Sequence, residues 1–246
     1  VTAGTIVGID TSTRSTSVAV LVPAGREVER RDDPSPKEQP RHAEALQPLL
    51  EQALAQAAVT WDDVSRICVG VGPGGFTGLR LGIATARALS QGHELPLVGV
   101  SSLEALARGV ELATPKELDL PGHPEVAGPV LAVLDARRGE VFAAVFRHHR
   151  MTMEPAVYTP AELARRVASR REWGRSPMLG VGDGAVRFRA ELERSGVAVP
   201  PDGSRAHRVS ALMVARLGRA RDPVERDALL PDYLREPDAV PPPPPS

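Results

Sequence analysis

Apolar positions along this chain alternate between two rhythms. Thr5-Ile6-Val7-Gly8-Ile9 is a short unbroken apolar run and predicts a buried strand. Asp10-Thr11-Ser12-Thr13-Arg14-Ser15 interrupts it as a polar turn, and Thr16 to Val22 returns as the second arm of a hairpin. Arg30 to Pro40, polar and Pro-rich, reads as a loop. From His42 to Ala58 the rhythm changes: Leu46, Leu49, Leu50, Ala53, Leu54 and Ala57 recur at the spacing of one helix face. Trp61 to Val64 is a short connector and Arg66 to Val71 a strand. A glycine-rich loop follows, then a helix from about Thr77 to Gln91, with Thr77 as its cap and Gly92 as its stop. Leu97 to Val100 is a strand, and Ser101/Ser102 open a helix with Glu104 in its first turn.

A second set of elements comes after it. Val130 to Leu134 predicts a strand, Asp135-Ala136-Arg137-Arg138-Gly139 a turn, and Glu140 to Phe146 the return. Pro160 to Arg170 is a helix, Met178 to Val181 a short strand, Gly182-Asp183-Gly184 a tight turn and Ser210 to Gly218 a helix. The segment Val7 to Leu21 resembles Ala132 to Phe146: each is an apolar strand ending in Asp, a polar turn containing Arg, and an apolar return. Asp10 and Asp135 occupy the same place, which points to a duplicated lobe. Five consecutive prolines mark the end of the chain, and Pro237 to Ser246 carries no core-forming pattern, so an extended, mobile tail is expected.

The 246 residues suit one two-lobed unit or two small domains. With 42% hydrophobic but only 3% aromatic residues, the core must rest on Leu, Val, Ile and Ala. The net charge of -1 argues against a free-standing nucleic-acid binder. Lys37 and Lys116 are the only lysines, an Arg bias that fits a GC-rich genome. The single cysteine, Cys68, lies in the run Ile67-Cys68-Val69 and reads as a buried strand residue, so no disulfide is expected and a reducing cytoplasm is. No stretch approaches the roughly 20 apolar residues of a membrane span, and no signal peptide is evident.

The candidate chemistry is sparse. Gly70-Val-Gly72-Pro-Gly74-Gly75 follows a strand and fits the dinucleotide fingerprint by pattern. Pro73 removes a backbone donor, however, and no second strand ends in a ribose-binding acid. Walker A fails for want of Gly-Lys-Ser/Thr. The stronger reading is conformational: Gly74 and Gly75 allow close backbone approach, and Gly78, Gly82, Ala84, Ala86 and Ala88 make a small-sided helix suited to packing. None of the six histidines forms a His-x-x-x-His pair; His42, two residues before Glu44, reads as a capping or surface group. Asp10 with Thr11, Ser12 and Thr13 makes the best polar cluster. They could meet phosphate or Mg²⁺, or simply satisfy a tight turn. Arg165, Arg166, Arg170 and Arg171, with Glu162 and Glu172 nearby, read as a solvated face rather than an RNA contact.

Four segments then resemble the TsaB (YeaZ) family, in order: Gly8-Ile9-Asp10-Thr11-Ser12; Gly72-Pro-Gly-Gly-Phe-Thr-Gly-Leu-Arg80 with Gly82; Asp135-Ala-Arg-Arg-Gly-Glu-Val141; and Pro231-Asp-Tyr-Leu-Arg235. His42-Ala43-Glu44 is similar to the family's His-Ser-Glu, with Ala43 for Ser. The resemblance runs to about Arg235. It implies an α/β, two-lobed actin/Hsp70/sugar-kinase-like fold, each lobe a mixed sheet with helices. The lobes are expected at 1–103 and 104–207, with a helix at about 208–220 packing back on the first and a mobile tail at 236–246.

The resemblance also implies a non-catalytic, cytoplasmic subunit without a cofactor or metal. It would serve in forming threonylcarbamoyladenosine beside the tRNA anticodon. The expected partners are a TsaD-like catalytic subunit, which carries the His-x-x-x-His motif lacking here, and a TsaE-like ATPase. Alone the chain would form a homodimer through its first lobe, and it would meet tRNA only through the complex. The expected partner surface is Phe76, Leu79, Ile83, Ala86 and Arg87, with Leu46, Leu50 and Leu54. Ala86→Glu is expected to abolish pairing and leave a folded monomer. The alternative on the same fold is a nucleotide-dependent phosphotransferase or ATPase, with Asp10 and Asp135 for a metal and Thr11 to Thr13 for phosphate. Arg137 and Arg138 stand against it, where a phosphate turn would be needed.

Overall fold

The computed structural model describes residues 4–35, 37–114, 116, 118, 128–169 and 177–234. The N-terminal hairpin forms β1 (Thr5–Asp10) and β2 (Thr16–Leu21), both buried at every position. They sit at the centre of a sheet completed by β3 (Glu27–Asp32), β4 (Val64–Gly72) and β5 (Leu97–Ser101), in the order β3-β2-β1-β4-β5. β1, β2 and β3 pair antiparallel, whereas β4 and β5 join in parallel. The second sheet comprises β6 (Val130–Arg137), β7 (Glu140–Arg147), β8 (Arg150–Tyr158), β9 (Met178–Val181) and β10 (Val197–Ala198). Its order, β8-β7-β6-β9-β10, and its strand senses repeat the first sheet strand for strand. Two such mixed sheets flanked by helices make an actin/Hsp70/sugar-kinase-like fold.

Because side chains alternate across a strand, each sheet feeds two apolar layers. In the first, Val7, Ile9, Val18, Val20, Ile67 and Val69 meet α1 (His42–Ala57) and α2 (Phe76–Gly92) on the outer face. Ile6, Leu21, Cys68 and Val98 face inward, towards α3 (Ser102–Leu112) and a helix from near the far end of the chain. In the second sheet, Ala132, Leu134, Phe142 and Ala144 face that same inner layer. Leu131, Val133, Ala143 and Val145 pack outward on α4 (Pro160–Ala168), α5 (Asp183–Arg187) and α6 (Arg189–Arg194). The late helix is α7 (Ala211–Gly218), which packs on β1, β2 and β4 and against α3. Fully buried side chains such as Ile9, Leu50 and Leu106 each stabilise the fold by roughly 1.5–3 kcal/mol.

α7 lies very close to the sheet. A Cβ on Gly8 would come 2.2 Å from the Ala211 carbonyl oxygen, and one on Gly218 would come 2.3 Å from Cys68 Sγ. Cys68 is fully buried there, and burial pushes its thiol up to about 12. It is therefore a packing residue with no thiolate at neutral pH.

Several elements depart from the sequence expectation. β3 occupies part of the stretch read as a loop, because it is an edge strand with Val28 as its one buried residue. β8, β10 and α6 were not foreseen; β8 buries Met153 alone. Gly182 is the N-cap of α5, at φ 105, so the expected tight turn opens a helix. Thr77 does not cap α2: Gly75 holds that position, with no side-chain hydrogen bond. Gly92 is the last residue of α2, and the left-handed residue beyond it is Glu94, at φ 53. Ser101 and Ser210 do cap their helices, accepting from the Glu104 and Met213 amides. Pro237 to Ser246 lies outside the described residues.

Candidate functional site

β1 ends in Asp10, and the β1–β2 turn that follows meets the glycine loop at the end of β4. Asp10 is buried, and its Oδ1 accepts from the Ser12 amide at 3.1 Å and from Ser12 Oγ at 2.8 Å. Its Oδ2 accepts from Ser102 Oγ at 3.4 Å. Burial is the largest influence and raises its pKa to about 6 despite these bonds and the pull of Arg31. Thr11 Oγ1 donates to the Gly78 carbonyl at 2.7 Å, and the Gly75 amide donates to the Ser12 carbonyl at 2.7 Å. The loop thus lies directly on the turn.

The glycines are what make that contact possible. A Cβ at Gly74 would stand 2.2 Å from the Ser12 carbonyl oxygen. One at Gly78 would stand 2.2 Å from the Thr11 carbonyl oxygen, and one at Gly82 2.2 Å from Thr11 Oγ1. The loop and the start of α2 thus lie in direct contact with Thr11 and Ser12. The Gly75 amide is engaged by Ser12 and is not a free anion donor.

The second-lobe turn differs. Asp135 receives Arg187 Nη1 at 2.9 Å on both oxygens, the Arg137 amide at 2.9 Å, and the Arg137 guanidinium at 3.5 Å. Its own amide donates to Asp183 Oδ1 at 3.0 Å, and burial raises the Asp183 pKa. Asp10 and Asp135 are therefore held by separate networks. Among the described residues no group of three or more His, Cys, Asp or Glu could hold a metal ion.

His42, expected as a capping or surface group, is buried instead, with Nδ1 2.9 Å from Thr16 Oγ1. Burial lowers its pKa, and its ring lies where a Cβ on Gly78 would be 3.0 Å away. It ties the start of α1 to β2 and α2.

The structure divides the expected partner residues into two groups. Leu46, Leu50, Leu54, Leu79, Ile83 and Ala86 are all under 9% exposed and belong to the chain's own core. They cannot line an outer surface, because the apolar stripe of an amphipathic helix turns towards its own sheet. The same burial overturns the expectation that Ala86→Glu leaves a folded monomer. Phe76 is 49% exposed and Arg87 half-buried. The outward positions of α2 are Thr77, Arg80, Ala84 and Ala88, beside Leu81 and Thr85; α1 presents Gln47, Glu51 and Ala55. The signal for these was the same small-residue run, which the helix splits: Gly78, Gly82 and Ala86 inward, Ala84 and Ala88 outward.

The last described segment returns to this surface. The Asp232 amide donates to the Val71 carbonyl at 2.7 Å, and Leu229 is buried beside the α1–α2 core. Tyr233 stacks on Phe76 at 5.6 Å, with the Arg80 guanidinium 3.6 Å over the Phe76 ring and its Nε donating to the Tyr233 hydroxyl at 2.8 Å. Arg87 pairs with Asp227. Of the four arginines weighed for RNA, Arg165 and Arg166 are exposed on α4, and Arg170 and Arg171 lie outside the described residues.

The family model described as "TsaD: tRNA N6-adenosine threonylcarbamoyltransferase" matches residues 36–170. An uncharacterised protein of Mycobacterium tuberculosis is 34% identical over 200 residues, covering 81% of this chain and 78% of its own. The tRNA threonylcarbamoyladenosine biosynthesis protein TsaB of Bacillus subtilis is 28% identical over 238 residues, covering 94% of each. The crystallised YeaZ of Pseudomonas aeruginosa superposes with a TM-score of 0.71 at 28% identity, over 94% of this chain and all of that one. The chain belongs to the TsaB (YeaZ) family. Three of the four segments that carried the TsaB resemblance form one knot in space. The Asp10–Ser12 turn, the glycine loop and Pro231–Tyr233 are joined by the Gly75–Ser12 and Asp232–Val71 bonds and the Tyr233–Phe76 stack. No helix among the described residues is long and apolar enough to cross a membrane.

Proposed function

We propose that this chain is the non-catalytic adaptor subunit in the synthesis of threonylcarbamoyladenosine next to the anticodon of tRNA. It pairs with a TsaD-like catalytic subunit, with a TsaE-like ATPase joining the pair, and forms a homodimer through its first lobe when alone. tRNA is met through the assembled complex, in the cytoplasm. The observation that carries this reading is the likeness to TsaB of Bacillus subtilis over 94% of each chain, with three of the resembling segments gathered at the start of α2. The lobes divide at about residues 103 and 104, and the pairing surface is the outer side of α1 and α2. Phe76 and Arg87 remain on it; Ala84, Ala88 and Arg80 join them in place of the buried leucines.

The test is affinity capture of the chain from its native lysate, with mass spectrometry of what co-purifies. The expected result is a larger relative of the same fold bearing His-x-x-x-His, lost on Ala84→Glu or Ala88→Glu while the melting temperature stays at the wild-type value. Wild-type capture without such a relative overturns the reading. Ala84 and Ala88 are exposed, so a charge there costs the monomer within about 0.5 kcal/mol.

A further inference from the structure

On the inner side of the first sheet, away from α1 and α2, a cavity of about 570 Å³ opens between β3, α3, α7 and the short helix Arg205–His207. Its volume is that of a small-molecule site. The floor is apolar: Leu106, Val110, Leu118 and Met213 are buried, while Leu112 stands 51% exposed at the rim.

The charged lining is unequal. Four arginines (Arg31, Arg205, Arg208 and Arg216) face two glutamates, Glu27 and Glu29. Both glutamates are engaged. Glu27 holds Arg216, whose Nε donates at 2.9 Å. Glu29 Oε1 accepts from Ser17 Oγ and Ser210 Oγ, each at 2.8 Å, and from the Leu212 amide at 3.3 Å. Arg31 is also held, donating to the Val209 carbonyl at 2.7 Å and to Asp33 at 3.1 Å. Arg208 has only a 3.6 Å contact to the same Asp33. Arg205 makes no ion pair among the described residues. Two exposed guanidiniums thus flank an apolar hollow whose acids are already bound.

We infer that this cavity binds a small amphipathic anion, a carboxylate or phosphate head on an apolar body, with Arg205 and Arg208 on the head and Leu112, Leu106 and Met213 along the body. Guanidinium forks suit either head group, and charge-assisted bonds beside an apolar floor carry more energy than the same bonds in open water.

The test is a fluorescence titration of the full chain with anilinonaphthalene sulfonate, an anion on an apolar body, followed by displacement. The expected result is saturation at one probe per chain and displacement by decanoate or decyl phosphate but not by decanol; the tighter of the two identifies the head group. Arg205→Ser/Arg208→Ser should weaken binding at least about tenfold at an unchanged melting temperature. Leu112→Asp should weaken it from the apolar side. Non-saturating fluorescence, equal displacement by decanol, or a double variant that binds like the wild type would overturn the inference. So would displacement by a glutamate-rich peptide at lower concentration than decanoate, which would assign the cavity to a protein partner.

Discussion

In the first lobe, β4 runs for nine residues into a loop that lies on the β1–β2 turn, and α2 continues from it for 17 residues. In the second, the equivalent strand β9 has four residues and the helix after it, α5, has five. Glycines bring the loop close in both lobes, but to different targets. Gly74 and Gly78 press on the turn at Ser12 and Thr11, whereas Gly182 presses on the strand itself, where a Cβ would stand 2.1 Å from the Val133 carbonyl oxygen. The β6–β7 turn is held instead by side chains, with Arg187 on the Asp135 carboxylate and Asp183 on the Asp135 amide. Arg137, Arg138 and Gly139 all have positive φ, and a Cβ at Gly139 would meet nothing within 4 Å. The same strand plan therefore yields one lobe with a turn roofed by backbone and a long outer helix, and another with a turn held by side chains and short helices. The long helix gives the first lobe the broader helical face, and the proposed pairing uses it.

This contrast is broken most severely at α2. Ala86→Glu should destabilise the chain by about 4–5 kcal/mol or prevent folding, because it buries a charge in the α1–α2 core. Ala84→Glu, two positions away and exposed, should melt like the wild type; equal melting of the two variants would remove the distinction between inner and outer faces. Gly78→Ala comes next, with about 3 kcal/mol lost in chemical denaturation as the Thr11 carbonyl is displaced. In the second lobe, Gly139→Ala meets only the strain of φ 80, about 1 kcal/mol.

The buried acid of the roofed turn sharpens the contrast through pH. The folded-state pKa of Asp10, about 6, lies above the ordinary 3.8, so the folded chain keeps a proton that the unfolded chain releases. The Asp10 contribution to stability should fall as pH rises from about 4 to 6, by on the order of 2–3 kcal/mol, while buried His42 and His207, with lowered pKa values, act the other way. Asp183, also raised by burial, acts in the same direction as Asp10. Asp10→Asn should flatten the Asp10 part of that slope; parallel curves for variant and wild type would show that the carboxyl is not desolvated as described. The smallest effect is expected at the β6–β7 turn. Arg187→Ala removes an ion-pair partner of Asp135 whose side chain is 48% exposed, and should cost under about 1 kcal/mol, less still at high salt.

The duplicated hairpins were legible because β1, β2, β6 and β7 are buried almost throughout, and an unbroken apolar run survives any uncertainty about neighbours. Both third strands escaped notice for one shared reason. β3 and β8 are edge strands, with Val28 and Met153 as their single buried residues, so neither shows the alternation that marks a half-buried strand. The partner surface was only partly legible. Helical periodicity finds the face that a chain hides from water, so Leu46, Leu50 and Ile83 were conspicuous, whereas Ala84 and Ala88 carry too little apolar weight to stand out. The Phe76–Arg80–Tyr233 contact joins residues 153 or more positions apart, and no local pattern records it.

The late return of α7 has a consequence for the order in which the molecule is made. The first sheet is complete by Ser101, yet the helix covering its inner face begins at Ala211 and the segment bonded to Val71 arrives only at Asp232. The strands of the second sheet fall within one continuous stretch, Val130 to Ala198. A ribosome releasing this chain from its N-terminus therefore supplies every strand of the second sheet before the half that emerged first receives its last piece. Until then Gly8 and Cys68 face a gap that only the final part of translation can fill.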